Sequence, residues 1–111
     1  MRGRRIDPGA LRHRLSLQRA VVAGDGLGGH VENWSEVALL FGRIEPVLAS
    51  RGFGAGQTLE KTTHRITMRF RDDVASGMRF VSQGRIHSIL TVHDVDETGR
   101  YLVCETEETG R

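Results

Sequence analysis

Five histidines, one cysteine and a scatter of carboxylates are the side chains of this 111-residue chain best equipped for chemistry. Their spacing argues against it. His87 and His93 fall on one face of one predicted strand but about 20 Å apart along it, too far to share a metal ion whose ligand bonds are near 2 Å. His13, His30 and His64 lie on different predicted strands with no ligand spacing among them. No serine has a nucleophile-elbow context, and Cys104 sits in an alternating pattern that reads as a small core residue. Glu45, Glu60 and Asp72 could be gathered into a carboxylate pair, but nothing in the sequence gathers them. The expectation is no catalytic residue, no metal and no cofactor. The segment 23–29 holds four glycines in seven residues. It lacks the Lys-Ser/Thr ending and the following helix of a phosphate-binding loop, so it reads as a hairpin turn.

The remaining unusual chemistry is cationic. Residues 63–71, Thr-His-Arg-Ile-Thr-Met-Arg-Phe-Arg, alternate with a period of two. Ile66, Met68 and Phe70 then face one way and Arg65, Thr67, Arg69 and Arg71 the other. Three arginines on one face suit an anion or an acidic neighbour, or plain solvent.

The elements that must carry these residues read as strands. Residues 1–10 lack periodicity, are rich in Arg and Gly, and contain Asp7-Pro8-Gly9, which predicts a flexible arm with a turn. Residues 11–108 form a single domain. Residues 11–21 alternate, with Leu11, Leu15 and Leu17 on one face; the return strand 30–35 carries Trp34; a separate strand, 37–47, ends at Glu45-Pro46. Residues 48–62 break the pattern with Gly52, Gly54 and Gly56 around Phe53, and a connection of that length in so small a domain is usually functional or disordered. Short strands follow at 78–82, 85–95 and 100–107, with Gln83-Gly84 closing a tight hairpin. Six or seven strands without a convincing helix describe an all-β protein, a small antiparallel barrel or sandwich. The core expected from the alternation is Leu15, Leu17, Trp34, Phe41, Ile44, Ile66, Met68, Phe70, Phe80, Ile86, Leu90, Val92, Leu102 and Cys104.

Composition narrows the setting. A lone cysteine excludes an internal disulfide, and no apolar run approaches a membrane span or a signal peptide, so a soluble protein made in a reducing compartment is expected. Net charge is only +2, but residues 1–19 carry six Arg and one Asp while residues 94–111 carry six acids and two Arg. Such a molecule can meet a copy of itself head to tail. A single-stranded nucleic-acid-binding barrel is the competing class. It would need aromatic platforms interleaved with basic residues on one face, and only Phe53 looks free for that.

Several stretches, in order, resemble the phage head-tail joining family, the small head-closure or stopper proteins of long-tailed phages and gene-transfer agents. They are Leu11-Arg12-His13-Arg14 leading to Leu17-Gln18, Asp25 to Gly29 followed by Trp34, Phe41-Gly42-Arg43-Ile44-Glu45-Pro46, and above all Thr63-His64-Arg65-Ile66-Thr67-Met68-Arg69-Phe70. Met78-Arg79-Phe80, Gly84-Arg85-Ile86 and the closing Leu102 to Glu105 add to the set. The chain departs from the family pattern at residues 49–57, where a more helix-prone, acidic stretch is usual.

The resemblance implies a small β-barrel with a long loop between central strands. It implies a homo-oligomeric ring, with a hexamer favoured over a dodecamer, below the portal and adaptor proteins and above tail terminator or tail tube proteins. Such a ring extends the channel for packaged double-stranded DNA, helps retain that DNA and offers a tail docking platform. The setting it implies is the neck of a virion or phage-like particle assembled from protein made in the bacterial cytoplasm, without a membrane. Carried onto this sequence, Arg51, Gly52, Phe53, Gly54, Gly56 and Lys61 would form a gating loop. Arg65, Arg69 and Arg71 would form a subunit interface or channel wall. Arg4, Arg5, Arg12 and Arg14 in the basic arm and first strand, with Glu105, Glu107 and Glu108 in the acidic tail, would dock on neighbours.

Overall fold

The computed structural model describes residues 6–24, 26, 30–48 and 61–110. After a short 3-10 turn at Pro8–Ala10, capped by the Asp7 carboxylate accepting from the Gly9 N–H (2.9 Å), six strands follow: β1 (His13–Gly24), β2 (His30–Pro46), β3 (His64–Arg69), β4 (Arg79–Ser82), β5 (Arg85–Asp94) and β6 (Tyr101–Gly110). All pairings are antiparallel, and the order β1-β2-β3-β6-β5-β4 closes on itself because β4 also pairs with β1. Closure pairs every strand of the barrel with a neighbour on each side over at least part of its length.

Alternation sends one face of each strand inward. Leu15, Leu17, Ile66, Met68, Met78, Phe80, Ile89, Leu102 and Cys104 form the buried cluster, with Val37, Leu40, Ile44, Val74 and Val92 packed against it. Cross-strand register stacks these side chains in layers: Gly42, Met68 and Leu102 in one, and Ile44, Ile66, Cys104 and Val92 in the next. Gly42 has a steric reason to be glycine. A Cβ there would stand 2.6 Å from the Leu15 side chain and 2.9 Å from the Thr67 carbonyl oxygen.

The structure corrects several expectations. The predicted strands 30–35 and 37–47 are one continuous strand, and a bulge at Val37 of β2, where the consecutive Leu17 and Gln18 of β1 face Ala38 and Glu36, absorbs the change of register. On β2 the inward positions are Leu40, Gly42 and Ile44, so Phe41 points outward and is 55% exposed. Phe70 is 41% exposed because β3 ends at Arg69, and its N–H bonds the Arg100 carbonyl instead of a strand ladder. Trp34 lies beyond the barrel wall, half-buried under the Arg79 guanidinium at 4.2 Å from the ring centroid. On β5 the inward residues are His87 and Ile89 rather than Ile86 and Leu90. A bulge between Ile89 and Thr91 then flips the parity, which brings Val92 against the core. Thr67, expected on an open cationic face, is buried between Arg43 and Val103 of the flanking strands.

Candidate functional site

Two regions concentrate exposed or unusual chemistry. The first is an outer wall across β1, β2, β3 and β6. Arg14 stands opposite Phe41, and Arg69 stands opposite Tyr101 with its guanidinium 6.0 Å from the ring centroid. Leu39, 57% exposed, extends the apolar surface along β2. Beside it opens a groove of about 470 Å³, lined by Pro8, Leu11, Leu40, Phe41, Met68, Arg69, Phe70 and Arg71. Outward aromatic and aliphatic side chains flanked by guanidinium groups make a surface that can take an apolar group and an anion together.

The arginines expected to act as one wall divide. Arg69 is exposed on it, whereas Arg65 is half-buried in register between Glu45 and Glu105. Arg71 lies past the strand and grips Asp73 through Nε (2.9 Å) and Nη2 (2.8 Å), which holds the Asp73 carboxyl below its usual range. Arg12 and Arg14 are exposed. The acids of β6 are partly engaged within the chain: Glu105 accepts from the Thr91 hydroxyl (3.0 Å), and Glu108 is clamped by Arg85 Nε (2.9 Å) and Nη2 (3.0 Å). That clamp, helped by the nearby positive groups, pulls the Glu108 carboxyl down to about 2. Lys61 is exposed at the foot of the long connection. Arg4, Arg5, Arg51, Gly52, Phe53, Gly54 and Gly56 lie outside the described residues.

The second region is the barrel end from which the 48–62 connection leaves. Its feet are tied together by the Val47 N–H donating to the Thr63 carbonyl (2.9 Å) and the Thr63 N–H to the Thr106 carbonyl (2.8 Å). The Thr63 hydroxyl oxygen accepts from the Glu108 N–H (2.7 Å) and contacts His64 Nδ1 (2.9 Å). With Arg85 Nη2 3.4 Å from His64 Nε2, this pattern fits a proton on Nδ1 and a bare Nε2. The His87 ring meets His64 edge-on at 5.0 Å, is fully buried, and has no hydrogen-bond partner at either nitrogen among the described residues. Burial, and secondarily the neighbouring His64, push its pKa down to about 4, so His87 is neutral at pH 7.

His13, His64, Ser82, Gln83, Arg85 and His87 share a pocket of about 390 Å³ with Ile44 and Pro46. Sequence spacing missed this grouping because it depends on β3 lying beside β6 and β6 beside β5, a non-local order. No group of His, Cys, Asp or Glu among the described residues is arranged to hold a metal ion. Cys104 is inert in this setting, since burial raises its thiol to about 12.

A closed six-strand barrel with a long connection between β2 and β3 can be compared with known proteins. The family model described as "Phage head completion protein" matches residues 6–109. The chain belongs to that family. The match spans the barrel from the 3-10 turn into the last strand. Among solved structures, a chain from the virion of a native gene transfer agent particle aligns with 28% identity and a TM-score of 0.61, covering 91% of this chain and 97% of that one. Protein SF1141 from Shigella flexneri 2a, known from a solution structure, shares the fold with a TM-score of 0.66 at 24% identity, over 91% and 96% of the two chains. A search of curated proteins returned no match. Membership of this family sets the chain among structural head components.

Proposed function

We propose that this chain completes a phage-type head and joins it to the tail, as a ring below the portal and adaptor that extends the DNA channel. The observation that carries the reading is the family match over residues 6–109, supported by the likeness to a gene transfer agent virion chain. The outer wall of Leu39, Phe41, Arg14 and Arg69 supplies a surface for neighbouring subunits or for partner rings above and below. Such a role needs no catalytic group: a constriction blocks DNA sterically, and a ring multiplies weak contacts through avidity. The 48–62 connection is the element we assign to gating, because its feet sit together at one barrel end and its sequence is rich in glycine. Particles lacking the chain should leak full-length DNA or remain tailless, and added protein should restore tail attachment. Absence of the chain from purified particles would sink the proposal.

One observation favours a second reading. Phe41, Phe70 and Tyr101 lie on or beside an arginine-bearing surface, which is the interleaving that a single-stranded nucleic-acid module requires. In that case the monomer would bind oligonucleotides with a steep salt dependence, and replacing Phe41 with Ala would weaken binding. A monomer inert toward oligonucleotides leaves the assembly reading alone.

A further inference from the structure

The β1–β2 hairpin outruns the barrel. On its outer sides β1 pairs with β4 only over residues 16–18, and β2 pairs with β3 only over residues 42–46. The pairs from Arg19 opposite Ser35 to Gly24 opposite His30 therefore form a two-stranded ribbon, about 20 Å long, with no third strand on either side among the described residues. An isolated ribbon of this kind is marginal in water and its edges present unpaired N–H and C=O groups. It also leaves Val21 46% and Val22 60% exposed, one on each face.

The two edges differ in charge. The β1 edge carries the exposed Arg19, while the β2 edge carries the exposed Glu32 and, at the base of the ribbon opposite Gln18, the exposed Glu36, one of whose oxygens accepts from the Ser16 hydroxyl (2.8 Å). Arg19 also lies within electrostatic reach of Asp73, but that carboxylate is already held by Arg71. Pairing two β1 edges would oppose arginines, and pairing two β2 edges would oppose glutamates. Joining a β1 edge to the β2 edge of another copy brings unlike charges together. Because β1 and β2 run antiparallel, copies related by rotation about an axis along the strands would continue the alternation without reversing any strand.

We propose that this ribbon is the self-assembly element of the chain, its β1 edge adding to the β2 edge of a second copy so that successive copies close a ring of antiparallel strands. The contact is heterologous, and a closing heterologous contact makes a ring rather than a dimer. The inference rests on the head-completion reading and adds to it the surface and the rule by which copies join.

The test reverses the charge of each edge separately and then together: Arg19→Glu for one edge, Glu32→Arg with Glu36→Arg for the other, and all three in one chain. Native mass spectrometry of the purified chain and quantification of its incorporation into particles are the readouts, with melting temperature as a control for folding. Reversal of either edge should cut assembly about tenfold, and the triple variant should recover it, since every interface then has its charges exchanged. Hydrogen exchange gives a second measure independent of the variants. Amides of residues 19–24 and 30–35 that point away from the hairpin should slow about a hundredfold in assembled protein.

Failure of the triple variant to recover, or free exchange of the ribbon amides within particles that contain the wild-type chain, overturns the ribbon proposal alone. Protection of the ribbon only after another protein is added also overturns it, assigning the edges to a different partner. Absence of the wild-type chain from particles overturns the head-completion reading instead.

Discussion

Replacing His87 with Leu should remove most of the pH dependence of stability between neutral and mildly acid conditions. His87 is fully buried, and among the described residues both its ring nitrogens are unpartnered, with His64, Arg85 and Glu108 the titratable and charged groups that act on it and His13 on the same pocket. Its pKa falls from 6.5 in the unfolded chain to about 4 in the folded one. The unfolded state therefore binds more protons throughout that window, and stability is full above pH 6.5 and declines as pH falls toward 4. A shift of this size is worth about 3 kcal/mol over the whole window, of which about 2 kcal/mol is already lost at pH 5. Glu108, with its carboxyl lowered from 4.5 to about 2, adds a loss in the same direction only below pH 4.5. Chemical denaturation of the wild type at pH 7 and pH 5 should show the 2 kcal/mol difference, with the slope of the transition unchanged. The Leu variant, which leaves no unpaired ring nitrogen inside the barrel, should be at least as stable at pH 5 as the wild type. Equal pH dependence in the two proteins would refute the reasoning, since the titration would then belong to another group.

Other consequences follow from packing and exposure. Gly42→Ala should cost about 1–3 kcal/mol, because the added carbon meets both Leu15 and the Thr67 backbone; a thermal melt within experimental error of wild type would show that the strand shifts without penalty. Phe41→Ser should leave monomer stability within about 0.5 kcal/mol, as expected for an exposed side chain, yet reduce incorporation into particles; unchanged incorporation would remove Phe41 from any interface. Cys104, fully buried with its thiol raised to about 12, should resist thiol reagents at pH 8 in the native protein and react once the protein is unfolded, and prompt native labelling would contradict its placement.

Much of the fold was legible because it rests on local rules. The Gln83-Gly84 turn is one case: both residues take positive φ (53° and 80°) and Ser82 faces Arg85 across the two-residue loop, as a tight hairpin requires. Leu15 and Leu17 on β1, and Ile66 and Met68 on β3, were readable from alternation alone. The alternation misled where both faces of a strand are apolar. On β2 the larger phenylalanine looks like core, yet the inward position belongs to Gly42, chosen by the close approach of Leu15 and Thr67. On β5 a bulge changes parity midway, and nothing in residues 86–92 announces it. The histidine pocket was hidden for a different reason, since it depends on which strands are neighbours rather than on spacing along any one of them.

Charge shows the same distinction between order in sequence and arrangement in space. The basic start and acidic end of the chain suggest a molecule with oppositely charged ends, each free to dock on a neighbour. In the barrel, β6 lies between β3 and β5, where Arg85 clamps Glu108, Thr91 holds Glu105, and Arg65 stands in register with Glu105. The acidic end is thus partly answered within the molecule, whereas Arg12, just before β1, and Arg14 and Arg69 on the outer wall remain exposed, as do Glu32 on the projecting ribbon and Glu36 at its base. Among the described residues, the unlike charges that the proposed contact brings together are Arg19 of β1 and Glu32 and Glu36 of β2. A ring built through these groups needs no contribution from Glu108, so Glu108→Gln should weaken the barrel end around His64 without altering how copies join.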